Sequence, residues 1–152
     1  MEIEIIKIQS QADPLDSTRE FGIFLKKIHS LIHLLHWYAG NHNIHIILGD
    51  LYESIDELFD KLQEEIIGTS SIQNVNFPAF SFNLDLNSEH LKGSPEDILN
   101  SYKKVNNSIQ ETLTSLEFNS YITSVKSGLT NTKEDIITAF NKANYLLSMV
   151  SL

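Results

Sequence analysis

Five of the six histidines in this chain fall within one short stretch, HSLIHLLHWYAGNHNIH, from His29 to His45. The chain has no cysteine, which excludes disulfides, thiolate metal sites and cysteine nucleophiles. Any metal must therefore sit on imidazole and carboxylate, a donor set that suits Fe(II), Mn or Zn. At about 100° of rotation per helical residue, His29, His33 and His36 lie within an arc of about 60°. That stripe flanks the apolar face formed by Leu25, Ile28, Ile32 and Leu35. On a following helix, Asp56 lies about 20°, Asp60 about 60° and Glu64 about 100° from the direction of His45, so the carboxylates drift away from the core side. Leu34, Trp37 and Ile46 point outward too, although such side chains are costly to leave in water. Apolar groups and potential ligands on one outer face imply a subunit interface, with a metal site there rather than inside one bundle. The competing reading is structural. A single interhelical histidine more often makes a hydrogen bond than ligates a metal, and carboxylates spaced i, i+4 usually form a solvated face.

Four helical segments are expected to position these groups. The first starts at a cap on Asp16 or Ser17 and runs to about Tyr38, with Phe21, Leu25, Ile28, Ile32 and Leu35 inward and Gly40-Asn41 as its stop. The second runs from about His42 to Ile67 through Leu48, Leu51, Ile55, Leu58, Leu62 and Ile66, with Gly68 as a left-handed terminator. The third opens at Ser94-Pro95 and carries Ile98, Tyr102, Val105, Ile109, Leu113 and Leu116 toward an end near Phe118; NSYITSVKSG either continues it or forms a short extra helix. The fourth begins around TNTKED, capped by Asn131 or Thr132, and runs through Ile136, Ile137, Phe140, Leu147 and Val150.

The loops read short, long, short. With residues 1–14 as an N-terminal arm and 69–93 as a crossover, the chain is expected to be a single all-α domain over 1–152. Its expected architecture is a four-helix bundle with one long crossover between helices two and three, the ferritin-like arrangement.

Several function classes are disfavoured. A formal net charge of −9, with no basic patch or basic tail, opposes nucleic-acid binding. MEIEIIKI is acidic and too short for a signal peptide, and nowhere do eighteen apolar residues run together, so no membrane association is expected. The Glu-x-x-His pair of a di-iron bundle core is missing, as are His-Glu-x-x-His, phosphate-binding glycine motifs and Gly-x-Ser-x-Gly.

The stretch LHWYAGNHNIHIILGDLYESIDELFDKLQEEIIG resembles the helix-one to helix-two signature of Dps-like mini-ferritins: His-Trp, a second His, a Tyr, then Asp-x-x-x-Glu. It is also similar to small phage-encoded, Dps-related proteins of unknown function that share His-x-x-His-Trp, a later His, and Asp-x-x-x-Glu before a Gly. Here those positions are His33, His36, Trp37, His45, Asp60, Glu64 and Gly68. The resemblance implies a homo-oligomer, at least a two-fold dimer, with His36 and His45 of one copy meeting Asp60 and Glu64 of another and Trp37 beside the metal. It implies iron as the metal and oxidation of Fe(II) by peroxide or oxygen. Asp56 and His33 complete the set of candidate ligands. The expected location is the cytoplasm of an infected bacterium or a virion. The alternative is a non-catalytic virion or host-interaction protein, in contact with other virion proteins, that uses the bundle as a scaffold.

Overall fold

Apolar residues recurring every three or four positions build four long helices in the computed structural model, which describes residues 14–68, 75–77, 88–91, 94–118 and 123–152. The elements in chain order are α1 (Pro14–Trp37), α2 (His42–Gly68), β1 (Val75–Asn76), α3 (Ser88–Leu91), α4 (Pro95–Ser115), β2 (Glu117–Phe118) and α5 (Thr123–Ser148). Residues 1–13 of the expected 1–14 arm lie outside the described residues, as does most of 69–93, while Pro14 already belongs to α1.

The long helices form a ring in which α1 packs on α2 and α4, and α5 packs on α2 and α4. Contacts between helix ends fix their directions. The Gln63 amide near the end of α2 donates to the Thr18 carbonyl near the start of α1 at 2.9 Å. Thr132, early in α5, reaches Glu65 of α2 at 2.9 Å. The Tyr102 hydroxyl, early in α4, donates to the Phe140 carbonyl, late in α5, at 2.8 Å. Gly40, between α1 and α2, sits beside Pro95 at the start of α4. Every neighbouring pair is thus antiparallel. The chain leaves α2 at one end of the bundle and enters α4 at the other.

The core is the sum of the apolar stripes. Phe21, Leu25, Ile28, Ile32 and Leu35 of α1, and Ile98, Tyr102, Val105, Ile109, Leu113 and Leu116 in and just after α4, are all buried as their spacing predicts. Burial of each such side chain contributes roughly 1.5–3 kcal/mol. On α2 the core takes Ile44 and Phe59, while Leu58 is only partly buried against it. The larger aromatic ring reaches α5, where Phe59 and Phe140 lie 6.4 Å apart. Leu34 also departs from expectation: it packs against the core rather than standing clear of it.

Helix ends show where local chemistry overrode pattern. α1 starts at Pro14, ahead of the expected caps, and Asp16 instead pairs with Arg19 at 3.0 Å in its first turn. Asn41 caps α2, its side-chain oxygen accepting from the Asn43 and Ile44 amides. Gly40, with φ of 67°, makes the left-handed turn that permits this tight hairpin. Gly68 is helical and not left-handed. α4 stops at Ser115 because Glu117–Phe118 pair antiparallel with Val75–Asn76, Val75 opposite Phe118. Residues from Thr123 belong to α5, which runs through Gly128. Thr132 is therefore no cap: it is buried within the helix, its hydroxyl between the Gly128 carbonyl at 3.1 Å and Glu65. Among the described residues, no helix is long and apolar enough to cross a membrane.

Candidate metal centre

The outer seam between α1 and α2 holds the histidines. Helical spacing places Gly22, Lys26, His29, His33 and His36 along one edge and His45, Gly49, Tyr52, Asp56 and Gln63 along the other. The two edges meet in rungs. Tyr52 stacks between two imidazoles, with ring centroids 4.1 Å from His29 and 4.0 Å from His33. His33 in turn lies 4.2 Å from the Trp37 ring and 6.2 Å from His36.

At the hairpin end, His36 and His45 are locked to each other. Their rings stack at 3.9 Å, 18° from parallel. Nδ1 of His36 lies 2.7 Å from the His45 carbonyl oxygen, and Nδ1 of His45 lies 2.8 Å from the His36 carbonyl oxygen. A carbonyl can only accept, so each Nδ1 carries the proton and donates it. In the neutral rings Nε2 then keeps its lone pair. This is the tautomer a metal-ligating histidine needs, held by the second hydrogen bond that usually orients such ligands. Neither Nε2 has a hydrogen-bond partner among the described residues, and neither is a sealed, orphaned atom.

The absence of a side chain at position 49 makes room for this pair. A Cβ there would stand 2.8 Å from His36 Cε1 and 3.0 Å from its Nδ1, so the ring rests directly on the α2 backbone. Residue pattern places Gly49 one turn after His45, on the edge facing α1, but does not show that the His36 ring rests there. Tyr52, one more turn along, was equally missed as the ring that joins His29 to His33.

His29 differs from the other imidazoles. Its Nε2 is buried without a hydrogen bond, and Asp56 Oδ1 at 3.6 Å is too far to supply one. Desolvation by burial lowers its pKa below the ordinary 6.5, while the Asp56 carboxylate opposes that shift.

The expected carboxylates lie elsewhere on α2. Asp56 sits opposite His29, whereas Asp60 and Glu64 are exposed further toward the far end. Fifteen residues of helix separate His45 from Asp60, about 22 Å. A single chain therefore brings His33, His36 and His45 into one seam but does not bring Asp60 or Glu64 to them. Among the described residues no three His, Asp or Glu side chains come close enough to hold a metal ion. No known protein family, characterised protein or solved structure matches the chain.

Proposed function

We propose that this chain is a ferritin-like, metal-binding protein whose site is completed between two copies, His36 and His45 of one copy facing Asp60 and Glu64 of the other. The observation that carries this reading is the reciprocal lock between His36 and His45, which fixes two adjacent imidazoles in the tautomer that offers Nε2. A purely structural pair could use any arrangement of donors, whereas this one spends both Nδ1 protons on backbone carbonyls and leaves both lone pairs unused. Asp60 and Glu64, one helical turn apart and both exposed, supply the anionic half that a divalent cation requires.

His33 and Asp56 flank the site without completing it, His33 through its stack with Trp37 and Tyr52 and Asp56 beside His29. Iron is the metal proposed, with Mn and Zn as the other cations this donor set accepts. In the ferroxidase reading Fe(II) is the substrate and gives up an electron to dioxygen or peroxide. The bundle topology, antiparallel at every neighbour with α2 ending and α4 starting at opposite ends, agrees with the ferritin-like arrangement.

A second reading, a non-catalytic scaffold for a virion or host contact, is favoured by the lack of any three-ligand group among the described residues of one chain. Metal content of untagged protein, purified and then titrated with Fe(II), separates the two. Near-stoichiometric metal that is lost in His36→Ala and Glu64→Ala, with the oligomer intact, supports the site. Protein that stays metal-free under added Fe(II) removes it.

A further inference from the structure

Further along the same seam, away from the hairpin, α1 and α2 part to leave an open groove of about 570 Å³. Gly22, Leu25 and Phe59 line it, and beside them Ile23 is 63% exposed although it is a large aliphatic side chain. Charged residues stand on both sides: Arg19 and Lys26 on α1, Asp56 and Asp60 on α2. Lys26 is exposed and has no ion pair among the described residues.

One segment of the chain has the matching chemistry. MEIEIIKI, residues 1–8, carries Ile3, Ile5, Ile6 and Ile8, four aliphatic side chains that are costly to leave in water. QSQAD, residues 9–13, joins it to Pro14 at the start of α1. Five polar or small residues that end before a proline, where helix is disfavoured, suffice to reverse a chain.

We propose that residues 1–8 turn back through QSQAD and lie extended in this groove, antiparallel to α1, covering its apolar lining. Length and place fit. Counted along α1 from Pro14, Arg19 lies about 8 Å on, Ile23 about 14 Å and His29 about 22 Å. The groove therefore spans about 15 Å of helix, which about five extended residues fill. Ile5 lies about 10 Å beyond Ile8, so it comes level with Ile23 when Ile8 returns beside the first turn of α1. Glu4 then comes level with Lys26.

Charge agrees as well. In an extended segment alternate side chains point to opposite sides, so Glu2 and Glu4 share one side and Lys7 takes the other. With the glutamates toward Arg19 and Lys26, Lys7 falls on the acidic α2 side. The groove is open, so the outer edge of the segment's backbone stays in contact with water. Tethered to α1, the segment arrives at an effective concentration of about millimolar, an advantage that no second molecule shares. None of this uses the metal reading.

Because the chain has no native cysteine, an introduced pair reads the contact directly. Full-length Ile5→Cys/Ile23→Cys protein, air-oxidised in chelator, should close an intrachain disulfide, seen as altered mobility on a non-reducing gel at monomer mass. In Ile5→Cys/Asp135→Cys the second cysteine is exposed on α5 at the same end of the bundle, and closure should be at least about tenfold slower. In the cysteine-free chain, Ile23→Glu alters an exposed position and should keep the wild-type circular dichroism. It should speed trypsin cleavage after Lys7 by more than about tenfold, because cleavage follows the population of undocked segment. Equal closure of the two pairs overturns the proposal, as does a disulfide formed mainly between chains, which gives the groove to a second copy. Cleavage at Lys7 that is indifferent to Ile23→Glu overturns it as well.

Discussion

At the scale of single residues, the chemistry turns on which nitrogen of each imidazole is occupied. His36 and His45 donate from Nδ1 to each other's carbonyls, and the ring of His36 fits only because position 49 has no side chain. Gly49→Ala should therefore push the His36 ring aside and weaken metal binding by about 10–100-fold. Its effect on stability should be small, since alanine favours the helix by up to about 1 kcal/mol and offsets part of the crowding. Metal titration alongside urea unfolding checks both halves.

His29 gives a pH signature. Its folded pKa is lowered by desolvation, so between the ordinary value of 6.5 and that lowered value the unfolded chain holds a proton that the folded chain does not. Stability is therefore full above about 6.5, falls as the pH drops through that window, and levels off below it. Asp56, Lys26 and His33 set the depth of the fall. Unfolding curves at pH 7.5 and 5.5 should differ less for His29→Gln than for the wild type.

At the scale of elements, the stripes of α1 and α4 were legible because their apolar residues repeat with a helical period, and the polar residues buried beside them, Thr18 on α1 and Ser101 and Thr112 on α4, are too small to break the pattern. The shift from Leu58 to Phe59 on α2 was not legible: the two are adjacent, and only the position of Phe140 on α5 selects the ring. The start of α5 was hidden by serine, threonine and glycine around Gly128, residues that usually mark a turn. Tertiary contacts override that preference, with Leu129 and Thr132 buried and Thr132 reaching Glu65. Likewise Gly68 was placed well as the end of α2 but not as a left-handed residue; that geometry is used at Gly40, where the chain must reverse within four residues.

The histidine stripe was readable as a flank of the core, but its division into a locked pair and a stack on Tyr52 depends on the register of α1 against α2, which single-helix arithmetic does not contain. Among interhelical contacts, the buried Tyr102 hydroxyl ties α4 to α5, and burial pushes its pKa well above the ordinary tyrosine value. Tyr102→Phe should cost about 1 kcal/mol in chemical denaturation and leave metal binding and self-association unchanged, because the bond lies in the core away from the seam.

At the scale of the molecule, the account needs two copies. Each carries a formal charge of −9, so close approach is opposed by like charge until salt screens it. An interface between two such like-charged copies should tighten as salt rises from about 20 to 200 mM, measured by sedimentation in chelator. An interface held by ion pairs would loosen over the same range.

The central claim is that one copy supplies the imidazoles and the other the carboxylates, and mixing two inactive variants tests it most directly. His36→Ala and Glu64→Ala should each fail to hold metal as separate homodimers. Unfolded together and refolded as an equal mixture, half of the dimers are heterodimers, each with one intact site, so metal content should return to about a quarter of the wild-type value. A mixture that recovers no metal, with heterodimers demonstrated by mass, contradicts the shared site.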